Sequence, residues 1–219
     1  MMGRHRRDTW TWMDSEKITV FDENQRALGT ETRGDIHQKG LWHETFHCWF
    51  ITEDLGESFI YLQLRSDRKK DFSSLLDITA AGHLLANESV ENGIREVKEE
   101  LGIDLHFSDL TKLAVIKDVI TMDSFIDNEF AHVFLYKMDD SIQDFQLQQD
   151  EVSGMVRAKF QDFYDLCFKL IEKIGVEGFE INSCEEQIEV NKTITLLDLV
   201  PHQDAYLQEV VTRIKDEIS

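Results

Sequence analysis

Hydrophobic and polar positions change rhythm along this chain, and each change marks an element. Alternation in Ile18-Thr19-Val20-Phe21, a polar Asp22-Glu23-Asn24, and then Leu28-Gly29-Thr30-Glu31-Thr32 predict a hairpin. Arg33 to Gly40 reads as a linker carrying His37. Trp42 to Thr52 is aromatic and β-rich, and Ser58 to Leu64 answers it across the turn Glu53 to Glu57. Ser66 to Ser74 is a charged loop holding Arg68, Lys69 and Lys70, and Leu76 to Ala80 is a short strand. Further on, Leu113 to Thr121, Glu129 to Tyr136 and Met155 to Phe160 predict strands, with a polar loop from Asp139 to Asp150. Gln161 to Lys173 has the helical period, Gly178 to Leu197 is strand-like, and His202 to Ile218 reads as a closing helix. Strands around one central helix, with other helices late in the chain, predict an α+β class built in layers.

The central helix opens near Asn87, Glu88 or Ser89 and stops at Gly102. Serine or asparagine suits an N-cap, and a glycine past the last turn suits a left-handed C-terminal residue. Val90, Ile94, Val97 and Leu101 recur at spacings of four, three and four, so they form one stripe facing a core. Glu96, Glu99 and Glu100 project together from another side. Three carboxylates within one turn repel one another, and a divalent cation relieves that repulsion. Mg²⁺ prefers such hard oxygen ligands together with water and substrate phosphate. A solvated acidic face is the bland alternative for these residues taken alone.

Composition narrows the choice. The 219 residues suffice for one large domain with a substantial core. We expect a basic tail over residues 1–16, a main domain over 17–175, and a C-terminal extension over 176–219 packed on it. The formal net charge of −20 repels nucleic acid and anionic membrane surfaces, so neither is expected as a partner. A phosphorylated substrate then needs a metal ion and local Lys or Arg. No apolar run approaches a membrane span, and Cys48, Cys167 and Cys184 read as free thiols of a cytoplasmic protein. The only proline, Pro201, suits the start of the closing helix.

Gly82, Glu88 and the run Arg95-Glu96-Val97-x-Glu99-Glu100-x-Gly102-Ile103 resemble the Nudix box, with six residues instead of seven between Glu88 and Arg95. The resemblance implies a Nudix fold, a mixed β-sheet sandwiched between helices (α/β/α), and hydrolysis of a diphosphate linkage. It also implies Mg²⁺ or Mn²⁺ held by Glu96, Glu99 and Glu100, with Arg95 orienting the glutamates and Gly82 passing close to bound phosphate.

A second likeness is carried by Asp35-Ile36-His37, Leu41-Trp42-His43-x-x-Phe46, Arg65-x3-Lys69, Ala80-Ala81-Gly82-His83 and Asp127-Asn128-Glu129. These are similar to the subgroup of isopentenyl-diphosphate isomerases. By that resemblance His37, His43, His83, Asp127 and Glu129 are metal ligands, a donor set that also suits Zn²⁺. Arg65 and Lys69 are placed to receive the phosphate tail. The isomerase group needs a cysteine just before Gly-His, and Ala81 stands there, unable to give or take a proton.

The expected function is therefore metal-assisted attack of water on a nucleoside diphosphate derivative or a prenyl diphosphate. Glu99, Glu100 or Glu129 is the general base, with Glu151 behind them. Two alternatives stand beside it: an isomerase proper, and a non-catalytic ligand-binding module, to which the helical Gly93 points. Trp42, Trp49, Phe125 and Phe130 either stack on a substrate group or fill the core, and His47 reads as structural. The C-terminal extension leaves a homodimer open.

Overall fold

The computed structural model describes residues 14–122, 125–139 and 145–219. Most of the expected basic tail lies outside them. The strands are β1 (Lys17–Phe21), β2 (Ala27–Thr32), β3 (Trp42–Asp54), β4 (Glu57–Arg65), β5 (Leu76–Asp77) and β6 (Ala80–His83). After these come β7 (Thr111–Met122), β8 (Phe125–Lys137), β9 (Val152–Lys159), β10 (Ile174–Ile181) and β11 (Gln187–Ile194). The α-helices are α1 (Arg33–Lys39), α2 (Arg95–Leu101), α3 (Phe160–Cys167) and α4 (Asp204–Ile218).

All these strands join one sheet, with β11-β10-β9-β4-β3-β1-β2 as its path, β6 and β8 on β3, β5 on β4, and β7 on β8. The β3–β8 pair is parallel, from Trp42 opposite Asn128 to Ile51 opposite Lys137, and its neighbours are antiparallel, so the sheet is mixed. Central β3 is buried on both faces from Phe46 to Ile51, which is why its sequence reads as a continuous apolar run.

Each face of the sheet carries its own core. On one, Trp49, Ile60, Leu62 and Val133 pack against Phe163 and Leu166 of α3 and Val210 and Ile214 of α4. On the other, Phe46, Phe50 and Phe134 meet Val97 and Leu101 of α2, with Val90 and Ile94 at the margin. The predicted stripe is the buried one, and the layered α+β expectation holds. No helix among the described residues is long and apolar enough to cross a membrane.

Three segments differ from their sequence reading. Arg33 to Gly40 is no linker but α1, opened where Thr32 Oγ1 accepts the Asp35 N–H at 3.2 Å. Only Ile36 of its seven residues is buried, too few for a helical stripe to show in sequence. Helix α3 stops at Cys167, short of Lys173, because Lys169 adopts φ 58° and Ile174 already begins β10. Gly178 to Leu197 resolves into the β10–β11 hairpin, and β10 pairs with β9, so the C-terminal extension continues the same sheet.

Candidate active site

Strands β3, β6 and β8, the charged loop after β4, and helix α2 converge on a cavity of about 510 Å³. The helix reaches it through a short lead-in. Ser89 begins a 3₁₀ turn over Val90–Ile94, donating its N–H to Asn92 Oδ1 at 2.8 Å, and α2 follows directly. Those six residues are the whole connection from Glu88 to Arg95. The tighter 3₁₀ winding absorbs the short spacing, and Glu88 still reaches Arg95 with both oxygens, at 2.6 and 3.0 Å.

Arg95 is the hub of this corner. Its guanidinium donates to Glu88, to Glu96 Oε1 at 2.6 Å, to Glu99 Oε2 at 3.0 Å and to the His83 carbonyl at 3.0 Å. Glu88 in turn accepts the Leu85 N–H at 2.8 Å, tying the loop after β6 to the helix. Such forked donation suits a residue that orients carboxylates instead of contacting substrate.

The three helix carboxylates are not equivalent. Glu99 is open to solvent, Glu96 is partly buried and Glu100 is buried, the last two against β6. Glu96 lies so close to Gly82 that any side chain there would displace it. Glu100 accepts from neutral donors, Gln63 Nε2 and the Ala81 N–H, both at 3.2 Å. Burial, only partly offset by Arg95, pushes the Glu96 carboxyl up to about 7. Burial pushes Glu100 up to about 8, with Lys69 opposing and Glu96 reinforcing.

A second cluster sits across the cavity. His37, His43, His83 and Asp127 bring one ligand atom each to within 4.8 Å of the others. His37 Nε2 lies 3.2 Å from His83 Nε2 and 3.4 Å from Asp127 Oδ1, and His43 Nε2 lies 3.3 Å from the same oxygen. His43 Nε2 and Asp127 Oδ1 are sealed from solvent yet lack hydrogen-bond geometry, as suits atoms able to serve as metal ligands. Burial opposes ionisation of Asp127, but His37 and His43 hold it well below the usual carboxylate range. Burial keeps His83 neutral by lowering its pKa far below that of a free imidazole, leaving a lone pair for a metal. Three imidazoles and a carboxylate fit a tetrahedral or higher-coordinate divalent ion.

Other expected residues divide. Glu129 faces the cavity but stands outside this cluster, paired with His47 Nε2 at 3.3 Å. Lys69 lines the cavity and pairs with Glu151. Arg65 also lines it, with its donors committed to Asp77 Oδ2 at 2.8 Å and the Phe72 and Asp71 carbonyls at 3.2 and 3.0 Å. Among the aromatics, Phe125 borders the cavity, Trp49 is core, and Trp42 and Phe130 hold the Lys117 ammonium.

Three residues in or beside this site escaped sequence reading: Asp77 and His202 line the cavity, and Tyr206 lies behind His47, which was read as structural and borders the cavity too. The position of His202 next to Pro201, at the mouth of the closing helix, was the only available signal.

Comparison with known proteins decides the family. The NUDIX domain model matches residues 41–173. This chain belongs to the Nudix family. It is 34% identical over 205 residues to an uncharacterised Nudix hydrolase of Clostridium acetobutylicum, covering 94% of this chain and 100% of the relative. It is 28% identical over 125 residues to isopentenyl-diphosphate Delta-isomerase 2 of Photorhabdus laumondii, covering 57% of this chain and 68% of that one. A Deinococcus radiodurans protein of known crystal structure shares the fold, with TM-score 0.51 and 18% identity over 68% of this chain and 86% of that one. The end-to-end relative makes this a Nudix-type hydrolase, acting on acid anhydrides. Within the Nudix domain Ala81 borders the cavity between the two clusters, offering Glu100 only its backbone N–H. The matched region ends before β10, so His202 and Tyr206 come from outside it.

Proposed function

We propose that this Nudix hydrolase cleaves the diphosphate linkage of a nucleoside diphosphate derivative or a prenyl diphosphate by attack of water on phosphorus. The observation that carries the reading is Glu100, buried among neutral donors beside a second, partly buried carboxylate, Glu96. Two such groups are costly unless a cation joins them. Glu96, Glu99 and Glu100 would hold Mg²⁺ or Mn²⁺, and His37, His43, His83 and Asp127 a second divalent ion. Bound there, such ions supply charge neutralisation for the diphosphate and an acidified water.

The chain's own groups do the rest. Arg95 fixes the glutamates through four donations and the loop after β6 through a fifth, to the His83 carbonyl. Lys69 stands over the acidic corner and offers a point charge to phosphate once it leaves Glu151. Arg65 shapes the phosphate end by holding the loop of Asp71 and Phe72. Glu129 is the base we favour, since it faces the cavity without being consumed by Arg95. A general base contributes about 10²–10⁴-fold.

The decisive experiment is Mg²⁺-dependent turnover across nucleoside diphosphate sugars, dinucleoside polyphosphates and prenyl diphosphates, with Glu100→Gln as control. Absence of metal-dependent product from every class would sink the proposal. The histidine cluster favours a second reading, isomerisation of isopentenyl diphosphate. That reading needs a proton carrier where Ala81 stands, and formation of dimethylallyl diphosphate would establish it.

A further inference from the structure

The C-terminal segment enters the site through two buried contacts that the Nudix domain alone does not possess. His202 is clamped between carboxylates, with Nε2 2.9 Å from Asp77 Oδ1 and Nδ1 2.5 Å from Asp118 Oδ2. The Gln203 N–H adds a bond to Asp118 Oδ1 at 3.0 Å. One helical turn later, the fully buried Tyr206 places its hydroxyl 2.7 Å from His47 Nδ1. His47 Nε2 then lies 3.3 Å from Glu129 Oε2, at the cavity wall.

Proton inventory gives this line a direction. A tyrosine hydroxyl has one hydrogen, and His47 Nδ1 at 2.7 Å is placed to accept it. An imidazole that accepts at Nδ1 carries its own hydrogen at Nε2, the nitrogen that lies nearest Glu129. Accepting from Tyr206 favours the tautomer with its hydrogen at Nε2, on the Glu129 Oε2 side of the ring. Packing alone would not require the hydroxyl: His47 is nearly sealed from solvent, and its ring already stacks edge-on against Tyr206.

We infer that Tyr206 is a positioning residue of the hydrolytic site, acting through His47 to aim Glu129, and that His202 docks the segment that carries it. The inference rests on Glu129 serving the reaction proposed above. It assigns the C-terminal extension a part in the chemistry, in addition to its place in the core.

Tyr206→Phe, His47→Gln and the double variant test it. With Mg²⁺ and either ADP-ribose or isopentenyl diphosphate as probe, kcat should fall about 10-fold in each single variant, the range seen when outer partners of site ligands are lost. KM should stay within about twofold, and the double variant should be no worse than His47→Gln, because both changes cut one line. Wild-type kcat in Tyr206→Phe, or losses that multiply, would overturn the inference.

Nitrogen-15 imidazole spectra of the substrate-free protein give a readout independent of turnover. They should show His47 protonated at Nε2 in the wild type and a mixture of tautomers in Tyr206→Phe. An unchanged tautomer would refute the relay even if the enzyme is active. Should neither probe turn over, the spectra decide the relay, and the hydrolase reading is judged by the wider substrate screen.

Discussion

Gly82 and Glu96 stand so close that a β-carbon on the first would lie 2.1 Å from the carboxyl carbon of the second. The obstacle is the end of a side chain, not backbone, so it can yield without unfolding the sheet. Gly82→Ala should therefore displace Glu96 and leave the fold intact. Misplacing a catalytic group by about 1 Å costs on the order of 100-fold. We expect kcat with Mg²⁺ to fall by about that factor while the melting temperature stays near wild type. A large drop in melting temperature would show that the glycine serves packing first.

Gly93 makes the opposite prediction from a similar geometry. A β-carbon there would lie 2.6 Å from Cβ of Phe46, a fully buried residue of the α2 core. Helix propensity alone would favour Gly93→Ala by about 1 kcal/mol. Overpacking a core costs about 1–3 kcal/mol, and Phe46 has no room to retreat. The variant should be destabilised in urea denaturation. The glycine is thus a contact requirement and gives no support to a decayed, non-catalytic module.

Metal affinity should depend on pH in a defined direction. With carboxyls raised to about 7 at Glu96 and about 8 at Glu100, both hold protons in mildly acidic solution. A divalent ion must displace them, so binding releases protons and tightens as pH rises through about 7 to 8. Calorimetry in buffers of different ionisation heat should detect that release near about pH 6.5 and lose it near about pH 9. Proton-neutral binding at the lower pH would contradict the assignment of these two glutamates as ligands.

The His202 clamp should show itself in stability. Burial opposes its charge, but Asp118 and Asp77 hold the imidazolium up to about 10, against 6.5 for a free histidine. A raised folded pKa gives stability that is complete below 6.5 and is lost as pH rises through about 10. Asp77, held below its usual 3.8 by His202 and Arg65 despite burial, keeps its own contribution above that value. His202→Gln should accordingly cost about 3 kcal/mol near neutral pH or below. The melting curves of variant and wild type should converge at strongly alkaline pH, and parallel curves would argue against a charged His202.

How far the sequence reached can be judged from particular residues. The chemistry of α2 was legible, since Arg95, Glu96, Glu99 and Glu100 are neighbours on one short helix and their mutual geometry follows from helical period alone. The stripe of Val97 and Leu101 was legible for the same reason. The grouping of His37, His43, His83 and Asp127 followed only from likeness to a family, because α1, β3, β6 and β8 each supply one member. Where no likeness pointed, as with Asp77 and His202, no site role was foreseen.

By itself the sequence determined the elements whose order is local: alternating strands, the acidic helix with its stop at Gly102, and the family to which that helix belongs. Tertiary structure alone decided which carboxylates are buried, for Glu96 and Glu99 differ in exposure although they share one turn. It also decided that a tyrosine 159 positions away meets His47. Periodicity reports which face a residue takes within its own element. What stands opposite that face is settled only when parallel β3 and β8 and the closing helix pack together.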